Sequence, residues 1–300
     1  MKKFHSFDPS SPYNKPYLIL ILLFQQSLGG LAYPIAKYGL SMIEPFTTAF
    51  YRFVISAVVL LSITHFRSHK PAIAKKDYLK IIGLGVLIIP LNQLLYLYGQ
   101  SLTAAGHGAL LFATTPIWLF LSALVFFKEK FILRRAVGVI LGLTGVALIM
   151  AYGALELGTK YLLGDFIILI SVFAWVAYTI FGRPLVIKYG AFRITAYALS
   201  SGTLLYFPFG LYHALKFNYS KPTIGAWLAV LYLALGLSVV AYVLWYWLIK
   251  HLEATRIAVF QNIQPIIASV AAYLFLAEPL GWPFLIGGAI VLAGVIVTIK

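Results

Sequence analysis

The chain has 300 residues, of which 62% are hydrophobic and only 10% are charged, and it contains no cysteine. A soluble domain is about 45–50% apolar and about 25% charged, so this composition excludes a soluble protein of ordinary surface. It also excludes intrinsic disorder, disulfides, thiolate metal sites and cysteine nucleophiles. The net charge of +15 does not indicate nucleic-acid binding, because Lys and Arg lie in short clusters between apolar runs. The composition predicts a multi-pass membrane protein with the lipid bilayer as its partner.

Ten apolar runs are each long enough to cross a bilayer as a helix, which takes about 20 residues. Helices are expected because backbone amides in lipid must be satisfied within the segment, and no run shows the alternation of a barrel strand. In chain order the predicted spans are 17–37, 45–66, 79–99, 103–127, 134–152, 163–182, 192–213, 224–249, 254–276 and 282–299. Residues 1–16 are predicted to form a polar cytoplasmic tail, and the run that follows them is expected to be a retained span.

The distribution of basic residues predicts the orientation of the spans. With the amino terminus inside, 18 of the 23 Lys and Arg residues fall on the cytoplasmic side and four on the outer side. Cytoplasmic loops of membrane proteins carry this excess of positive charge. Both termini are therefore predicted to be cytoplasmic, in a protein of the cell (inner) membrane.

The two halves of the chain resemble each other when one is shifted by 149 residues. Pro116 then aligns with Pro265, and Glu129 aligns with Glu278. Each half, residues 17–152 and 163–299, holds five predicted spans, so the second half enters the membrane from the opposite side. Inverted repeats of this kind are typical of secondary transporters. Gene duplication also builds membrane proteins that do not transport, so a membrane scaffold is an alternative.

The repeated landmarks resemble the drug/metabolite transporter superfamily, in its ten-helix branch with two EamA-type domains. The fourth span of each half runs from alanine through proline to glutamate, as Ala105–Pro116–Glu129 and as Ala254–Pro265–Glu278. A glycine-rich fifth span follows each of them. The resemblance implies a carrier of a small metabolite, often moved outward. It leaves open amino acids, amines, nucleotide sugars, sugar phosphates and drugs.

Polar and aromatic side chains inside the spans predict a cavity for the solute. An amide without a partner is costly in hydrocarbon, so these side chains are expected to face the protein interior. The predicted cavity lining is Gln25, Asn92, Gln93, Tyr96, Thr115, Trp118, Trp175, Tyr178, Ser238, Tyr242, Gln261, Asn262 and Gln264. Pro116 and Pro265 are predicted hinges, because proline removes a backbone hydrogen bond and kinks a helix. Trp245 and Trp247 are interpreted as part of an interfacial aromatic belt.

Two basic side chains are candidates for gating or coupling. Arg52 lies inside span two and could bind an anionic substrate group, pair with Glu44 or serve a structural ion pair. His107 could exchange a proton near neutral pH, which makes proton coupling a further candidate. Glu129 is interpreted as an ordinary interfacial charge. No acidic residue lies in the middle of a span, and this favours a neutral or zwitterionic solute.

No catalytic constellation is found in the sequence. It has no zinc-binding His pair at helical spacing, no phosphate loop and no nucleophile elbow, so neither an enzyme nor a metal or other cofactor is predicted. The sequence predicts an exporter of an amino-acid-like metabolite working by alternating access. A carrier of anionic solutes such as nucleotide sugars, or a non-transporting scaffold, are the alternatives.

Overall fold

The computed structural model describes residues 16–66, 72–102, 111–151, 161–276 and 281–299. Within these ranges all regular secondary structure is helical, as the sequence predicts. In chain order we label the helices α1 (Pro16–Leu40), α2 (Pro45–Phe66), α3 (Lys75–Val86, Leu87–Leu94 and Leu95–Leu102), α4 (Thr115–Phe126), α5 (Leu133–Ala151), α6 (Leu162–Tyr189), α7 (Ala191–Lys216), α8 (Ile224–Tyr232, Leu233–Ala241 and Tyr242–His251), α9 (Ala254–Gln261 and Ile263–Leu276) and α10 (Trp282–Ile299).

The helix bounds follow the predicted spans closely. Helices α2 and α10 coincide with their predicted ranges to within a residue, whereas α6 continues past the predicted end at 182 to Tyr189. It ends there because Gly190 adopts φ 91°, a left-handed value that favours glycine, and α7 begins at the next residue. The predicted span 103–127 is described only from residue 111 onward, and the predicted tail lies outside the described residues except for Pro16.

The described helices have the length and surface of a multi-pass membrane protein. Helices α1, α2, α3, α6, α8 and α9 each contain a stretch long and apolar enough to cross a bilayer, and Leu111–Phe126 and Trp282–Thr298 are shorter apolar helices. Large apolar side chains point outward on many helices, and Ile224 is 80% exposed. In water such a surface would be unfavourable, whereas hydrocarbon solvates it. The number of membrane crossings and the side of the termini stay predictions.

Each helix of the first half and the helix five positions later in the chain pack against equivalent helices. Helix α1 packs against α8 and α9, and α6 likewise packs against α3 and α4. Helix α2 packs against α8, as α7 packs against α3. Two extensive helix contacts, α2 with α7 and α5 with α10, join corresponding helices of the two halves to each other.

Glycines bring α5 and α10 into backbone contact. A Cβ atom added at Gly138 would lie 2.8 Å from the carbonyl oxygen of Gly294, and one added at Gly145 would lie 2.5 Å from that of Gly287. Side chains larger than hydrogen therefore do not fit at these crossings without displacing one helix. Small residues at helix contacts allow this close approach, which is the main source of helix association in membranes.

Two helices contain π-helical turns at corresponding positions of the two halves. The π-helical segments are Leu87–Leu94 in α3 and Leu233–Ala241 in α8. In α3 the segment contains Pro90, which has no N–H group to donate and disturbs the preceding turn. A π-helical turn leaves backbone groups outside the regular α-helical pairing, and such turns occur frequently at functional sites.

Candidate functional site

Arg52 joins the π-helical regions of both halves. It lies seven residues after the start of α2, about 10 Å along the helix. Its Nε atom donates to Ser238 Oγ at 2.8 Å, Nη1 donates to Gln93 Oε1 at 3.1 Å, and Nη2 donates to the Tyr242 hydroxyl at 3.3 Å. We call these four residues the Arg52 cluster. The three partners were predicted cavity residues, and the structure brings them together.

The suggested pairing of Arg52 with Glu44 is wrong. Glu44 lies at the start of α2, where its carboxylate is 2.7 Å from His213 Nδ1 and accepts a hydrogen bond from Thr47 Oγ1 at 2.8 Å. The distance along α2 separates it from Arg52. Among the described residues no carboxylate forms an ion pair with Arg52, and all three of its hydrogen-bond acceptors are neutral oxygens.

An aromatic cluster lies against the Arg52 cluster. The Trp175 ring contacts the rings of Tyr178, Tyr242 and Trp245 at centroid distances of 5.4–5.8 Å, and Tyr246 stacks on Tyr178 at 4.7 Å. Trp175 and Tyr178 were predicted cavity residues, and Trp175 lies between Tyr178 and Tyr242. The interfacial interpretation of Trp245 is wrong, because its side chain is only 1% exposed. The sequence shows only that Trp245 lies near the cytoplasmic end of span eight. Its contacts with Trp175 and Thr179 of α6 join residues far apart in the chain, so no local pattern could predict them.

A chain of glutamine amides crosses from α9 through α1 to α8. Gln264 Nε2 donates to Gln26 Oε1 at 2.7 Å, and Gln26 Nε2 donates to Gln25 Oε1 at 2.8 Å. Gln25 Nε2 lies 3.5 Å from the carbonyl oxygen of Ala241, the last residue of the π-helical segment in α8. The amides therefore satisfy one another and serve a backbone group at that segment. Gln25 and Gln264 are thus interior residues, as predicted.

A polar contact between the two halves joins α3 to α6. Asn92 Nδ2 donates to the carbonyl oxygen of Ser171 at 2.8 Å, and Asn92 Oδ1 accepts from Gln93 Nε2 at 2.5 Å. Gln93 therefore links this contact to Arg52. Asn92 is buried, and each end of its amide has a partner, so it forms a contact between helices; its role as cavity lining stays a prediction.

Helices α4 and α9 are interrupted at corresponding places. The interruptions are a turn at Thr114 and a turn at Asn262. Pro116 and Pro265 each follow shortly after, in the first turn of the next helical segment, where the missing N–H of proline costs nothing. The prolines thus begin new segments rather than kink continuous helices. Their role as hinges stays a prediction.

At the interruption in α9, two buried amide side chains have atoms without hydrogen-bond partners. Asn262 is 2% exposed, and neither its Nδ2 nor its Oδ1 atom has a hydrogen-bond partner in the structure. Gln261 Oε1 is likewise buried without a partner. Asn262 faces Gly142 of α5, where an added Cβ would collide with its amide. An amide without partners in the interior is a natural contact for a polar solute.

The other predicted cavity residues lie between α3, α4 and α6. Tyr96 contacts the Phe112 ring edge-on at 4.9 Å, and Thr115 Oγ1 donates to the Phe112 carbonyl oxygen at 2.5 Å. Trp118 Nε1 donates to Thr114 Oγ1 at 3.1 Å. Thr115 is thus bonded to the turn that precedes α4, and in the described part of the chain no hydrogen bond or ring contact joins these three residues to the Arg52 cluster. His107 lies outside the described residues, and the described residues contain no group of three or more His, Asp or Glu side chains able to hold a metal ion.

Glu129 fastens the two halves together at the predicted cytoplasmic end. Its Oε1 atom accepts from the Ala254 N–H at 2.9 Å and pairs with Arg183 Nη1 at 3.2 Å. Its Oε2 atom accepts from the Thr255 N–H at 3.1 Å and from Thr255 Oγ1 at 2.8 Å. A carboxylate suits this place because the amino terminus of α9 presents free N–H groups. The carboxylate is only 6% exposed, so its interpretation as an interfacial charge is wrong.

A second ion pair adjoins these contacts. Arg135 of α5 pairs with Glu253 and donates from Nη1 to Thr255 Oγ1 at 2.7 Å. We call Glu129, Arg183, Arg135, Glu253 and Thr255 the Glu129 cluster. The recurrence of glutamate at 129 and 278 was the sequence signal that could have identified it.

An apolar groove of about 350 Å³ lies apart from these clusters. It runs between α1, α8 and α9 and is lined by Leu31, Pro34, Ile35, Tyr38, Gly225, Leu228, Ala229, Tyr232 and Phe275. No predicted site residue lines it, and Leu228 and Phe275 are exposed on the surface of the protein.

Comparisons with known proteins agree with this architecture. The model of the EamA-like transporter family matches twice, over residues 17–151 and 162–300. An uncharacterized transporter of Archaeoglobus fulgidus is 31% identical over 291 residues, which cover 95% of this chain and 97% of that protein. The uncharacterized transporter YetK of Bacillus subtilis is 29% identical, over 90% of this chain and 83% of its own length.

A more distant relative and a solved structure complete the comparison. A protein of Streptantibioticus cattleyicolor named "Probable terminal-alkyne amino-acid exporter" is 26% identical over 68% of this chain and 67% of its own length. A solved crystal structure with 18% identity has a TM-score of 0.79 over 94% of this chain and 98% of that one, which shows a shared fold. The two family matches and the relative from Archaeoglobus establish that the chain belongs to the EamA-like transporter family.

Proposed function

We propose that the protein is a secondary transporter that exports a small neutral or zwitterionic, amino-acid-like metabolite by alternating access. The observation that carries this proposal is the Arg52 cluster, where the π-helical regions of α3 and α8 meet around one guanidinium group. Ionisable residues inside membrane proteins are costly and mark solute pathways. Carrier sites form near the midplane, at the contact between repeats and beside interrupted helices.

The proposal includes ten spans arranged as two inverted repeats with cytoplasmic termini. It is supported by the corresponding neighbours of α1 and α6, the matched π-helical segments and the matched interruptions before Pro116 and Pro265. Because the halves share these features, each half supplies one side of the same site.

Alternating access needs one end of the pathway to close while the other opens. In our proposal the Glu129 cluster holds the cytoplasmic end closed, since it ties α4, α5 and α6 to the first turn of α9. The turn at Asn262 then allows the segment Ile263–Leu276 of α9 to move separately from the segment Ala254–Gln261, and the turn at Thr114 gives α4 a corresponding flexible start.

The chemistry of the interior supports the solute class. Amide groups and aromatic faces surround a single guanidinium group, which suits a solute with few charges. A nucleotide sugar or sugar phosphate would need several cationic or amide donors around its phosphates. The relative from Streptantibioticus is named an amino-acid exporter, which supports both the class and the direction.

Flux measurements test the proposal. The protein is reconstituted in liposomes loaded with amino acids, amines, nucleosides and nucleotide sugars, and mass spectrometry follows which solutes leave faster than from protein-free liposomes. We expect selective loss of an amino acid, and dependence of its rate on an imposed pH gradient would identify proton coupling. Selective loss of nucleotide sugars would replace the proposed solute class, and no loss from folded protein would favour a scaffold.

Two variants make the flux experiment specific to the site. Gln93→Ala removes the amide that bonds both Arg52 and Asn92, and it should slow efflux. Leu204→Ala is the matched control, because Leu204 is 74% exposed on α7 and should leave efflux unchanged. Equal slowing by both variants would contradict a role for the interior polar residues.

A further inference from the structure

We propose that Arg52 is the docking point for a carboxylate group of the transported solute. This inference rests on the proposed transport function and narrows its substrate class to solutes with one carboxylate. The Nη1 and Nη2 atoms of Arg52 receive that carboxylate, while Ser238 holds the Nε side of the guanidinium group.

The first argument is the contrast between Arg52 and the other basic residues of the interior and its edges. Arg135 pairs with Glu253, Arg183 pairs with Glu129, and Lys188 pairs with Asp77 at 2.6 Å. Arg52 is the cation deepest within a helix, yet its described partners are all neutral. Ionisable side chains inside membrane proteins usually have a charged partner, and no carboxylate among the described residues supplies one to Arg52, so a solute carboxylate can take that place.

The second argument is the geometry of the guanidinium group. The bond from Nε to Ser238 is short, at 2.8 Å, whereas Nη1 and Nη2 lie 3.1 and 3.3 Å from their acceptors. The two Nη atoms are the fork that binds both oxygens of a carboxylate. Gln93 and Tyr242 hold this fork through neutral oxygens at the longer distances, so a charged carboxylate can displace those oxygens. The freed Tyr242 hydroxyl can then donate its own proton to the carboxylate.

The third argument is that the fork is held in place and can be reached. The Ser56 hydroxyl lies 2.6 Å from the Arg52 carbonyl oxygen and 3.0 Å from that of Ala234, which fixes α2 against α8. Arg52 itself is half-buried rather than sealed.

The surroundings favour a zwitterion over a polyanion. The Arg52 cluster contains one cation and three neutral side chains, so it can neutralise one negative charge. The Tyr242 and Trp175 rings, 5.5 Å apart, lie next to the fork, and aromatic faces attract ammonium groups. An α-amino acid would place its carboxylate on Arg52 and its ammonium group beside these rings.

The test compares solutes that differ only at the carboxylate. Liposomes containing the protein are loaded with amino acids together with their carboxamides and their decarboxylated amines, and efflux of each is followed by mass spectrometry. We expect each transported amino acid to leave at least about tenfold faster than its carboxamide, as expected for the loss of a charge-assisted hydrogen bond. Arg52→Gln should reduce this ratio to about one, and Arg52→Lys should restore part of it.

Each outcome bears on a different claim. Efflux of carboxamides or amines at the rate of the amino acids would overturn the docking role of Arg52 and leave the transport function standing. No efflux of any solute would overturn the transport function itself. If Arg52→Gln does not fold, Tyr242→Phe, which keeps the guanidinium group, serves instead. It should lower the ratio of amino acid efflux to carboxamide efflux, and an unchanged ratio would refute the proposal.

Discussion

Replacing Glu129 with glutamine should open the end of the protein that the Glu129 cluster closes. The substitution keeps the size of the side chain but removes its charge and turns one acceptor oxygen into an NH₂ donor. Every group that faces the carboxylate is itself a donor: two backbone N–H groups of α9, the Thr255 hydroxyl and Arg183. The NH₂ group of a glutamine at this position would therefore face at least one of these donors and could not accept a hydrogen bond from it.

The size of the effect follows from these contacts. Hydrogen bonds to charged groups contribute about 1.5–3 kcal/mol each, and breaking a buried ion pair costs about 3–5 kcal/mol. One carbonyl oxygen remains to accept part of the set, so we expect a net loss of about 3 kcal/mol. This corresponds to a shift of roughly a hundredfold away from the closed arrangement.

The lack of cysteine in the chain makes the assay simple. A single cysteine replaces Ala258, which is fully buried on α9 one turn beyond Ala254, and its labelling rate by a hydrophilic maleimide is measured in membrane vesicles. We expect much faster labelling when Glu129→Gln is added. Glu44→Gln makes the same chemical change at the opposite end of the pathway and should leave the rate unchanged.

Two results would refute the reasoning. An unchanged labelling rate would show that the Glu129 cluster does not keep this end closed. A lower melting temperature in detergent without faster labelling would assign Glu129 to folding stability alone.

Three further substitutions test other parts of the structure. Gly138→Leu should lower the melting temperature, because an added Cβ would lie 2.8 Å from the Gly294 carbonyl oxygen, whereas Gly83→Ala, with nothing within 4 Å, should not; equal effects would refute the close contact. Asn262→Leu should raise the melting temperature by removing a buried amide whose missing partners cost about 1–3 kcal/mol, while slowing efflux; a lower melting temperature would show that the amide is satisfied. Tyr242→Phe should raise the solute concentration for half-maximal efflux by about tenfold, and an unchanged value would exclude the hydroxyl from the site.

The helices could be predicted from the sequence because hydrophobic length dominates in a membrane. The range 45–66 was predicted for α2 and is observed, since Pro45 and the polar residues after Phe66 mark its ends. The π-helical segments could not be predicted. In a π-helix each backbone hydrogen bond spans one residue more than in an α-helix. Apart from Pro90, the residue types in these segments are compatible with either helix.

The composition of the site was partly predictable, whereas its connections were not. Polar residue types inside apolar runs identified Gln93, Ser238 and Tyr242 as interior residues. Their common partner is separated from them by 41, 186 and 190 residues, and no local pattern carries such a contact. The role of Glu129 was wrongly predicted for a related reason. Its carboxylate accepts hydrogen bonds from the first turn of α9, which lies more than a hundred residues away in the chain.

The glycine crossing of α5 and α10 has a practical consequence for following motion in this protein. Where the backbone of one helix lies against the backbone of the other, few side chains stand between them that could rearrange. We therefore expect these two helices to keep one mutual orientation while others change theirs. Spectroscopic labels at their ends would supply a fixed reference frame inside the molecule, against which displacements of α4 and α9 can be measured as distances.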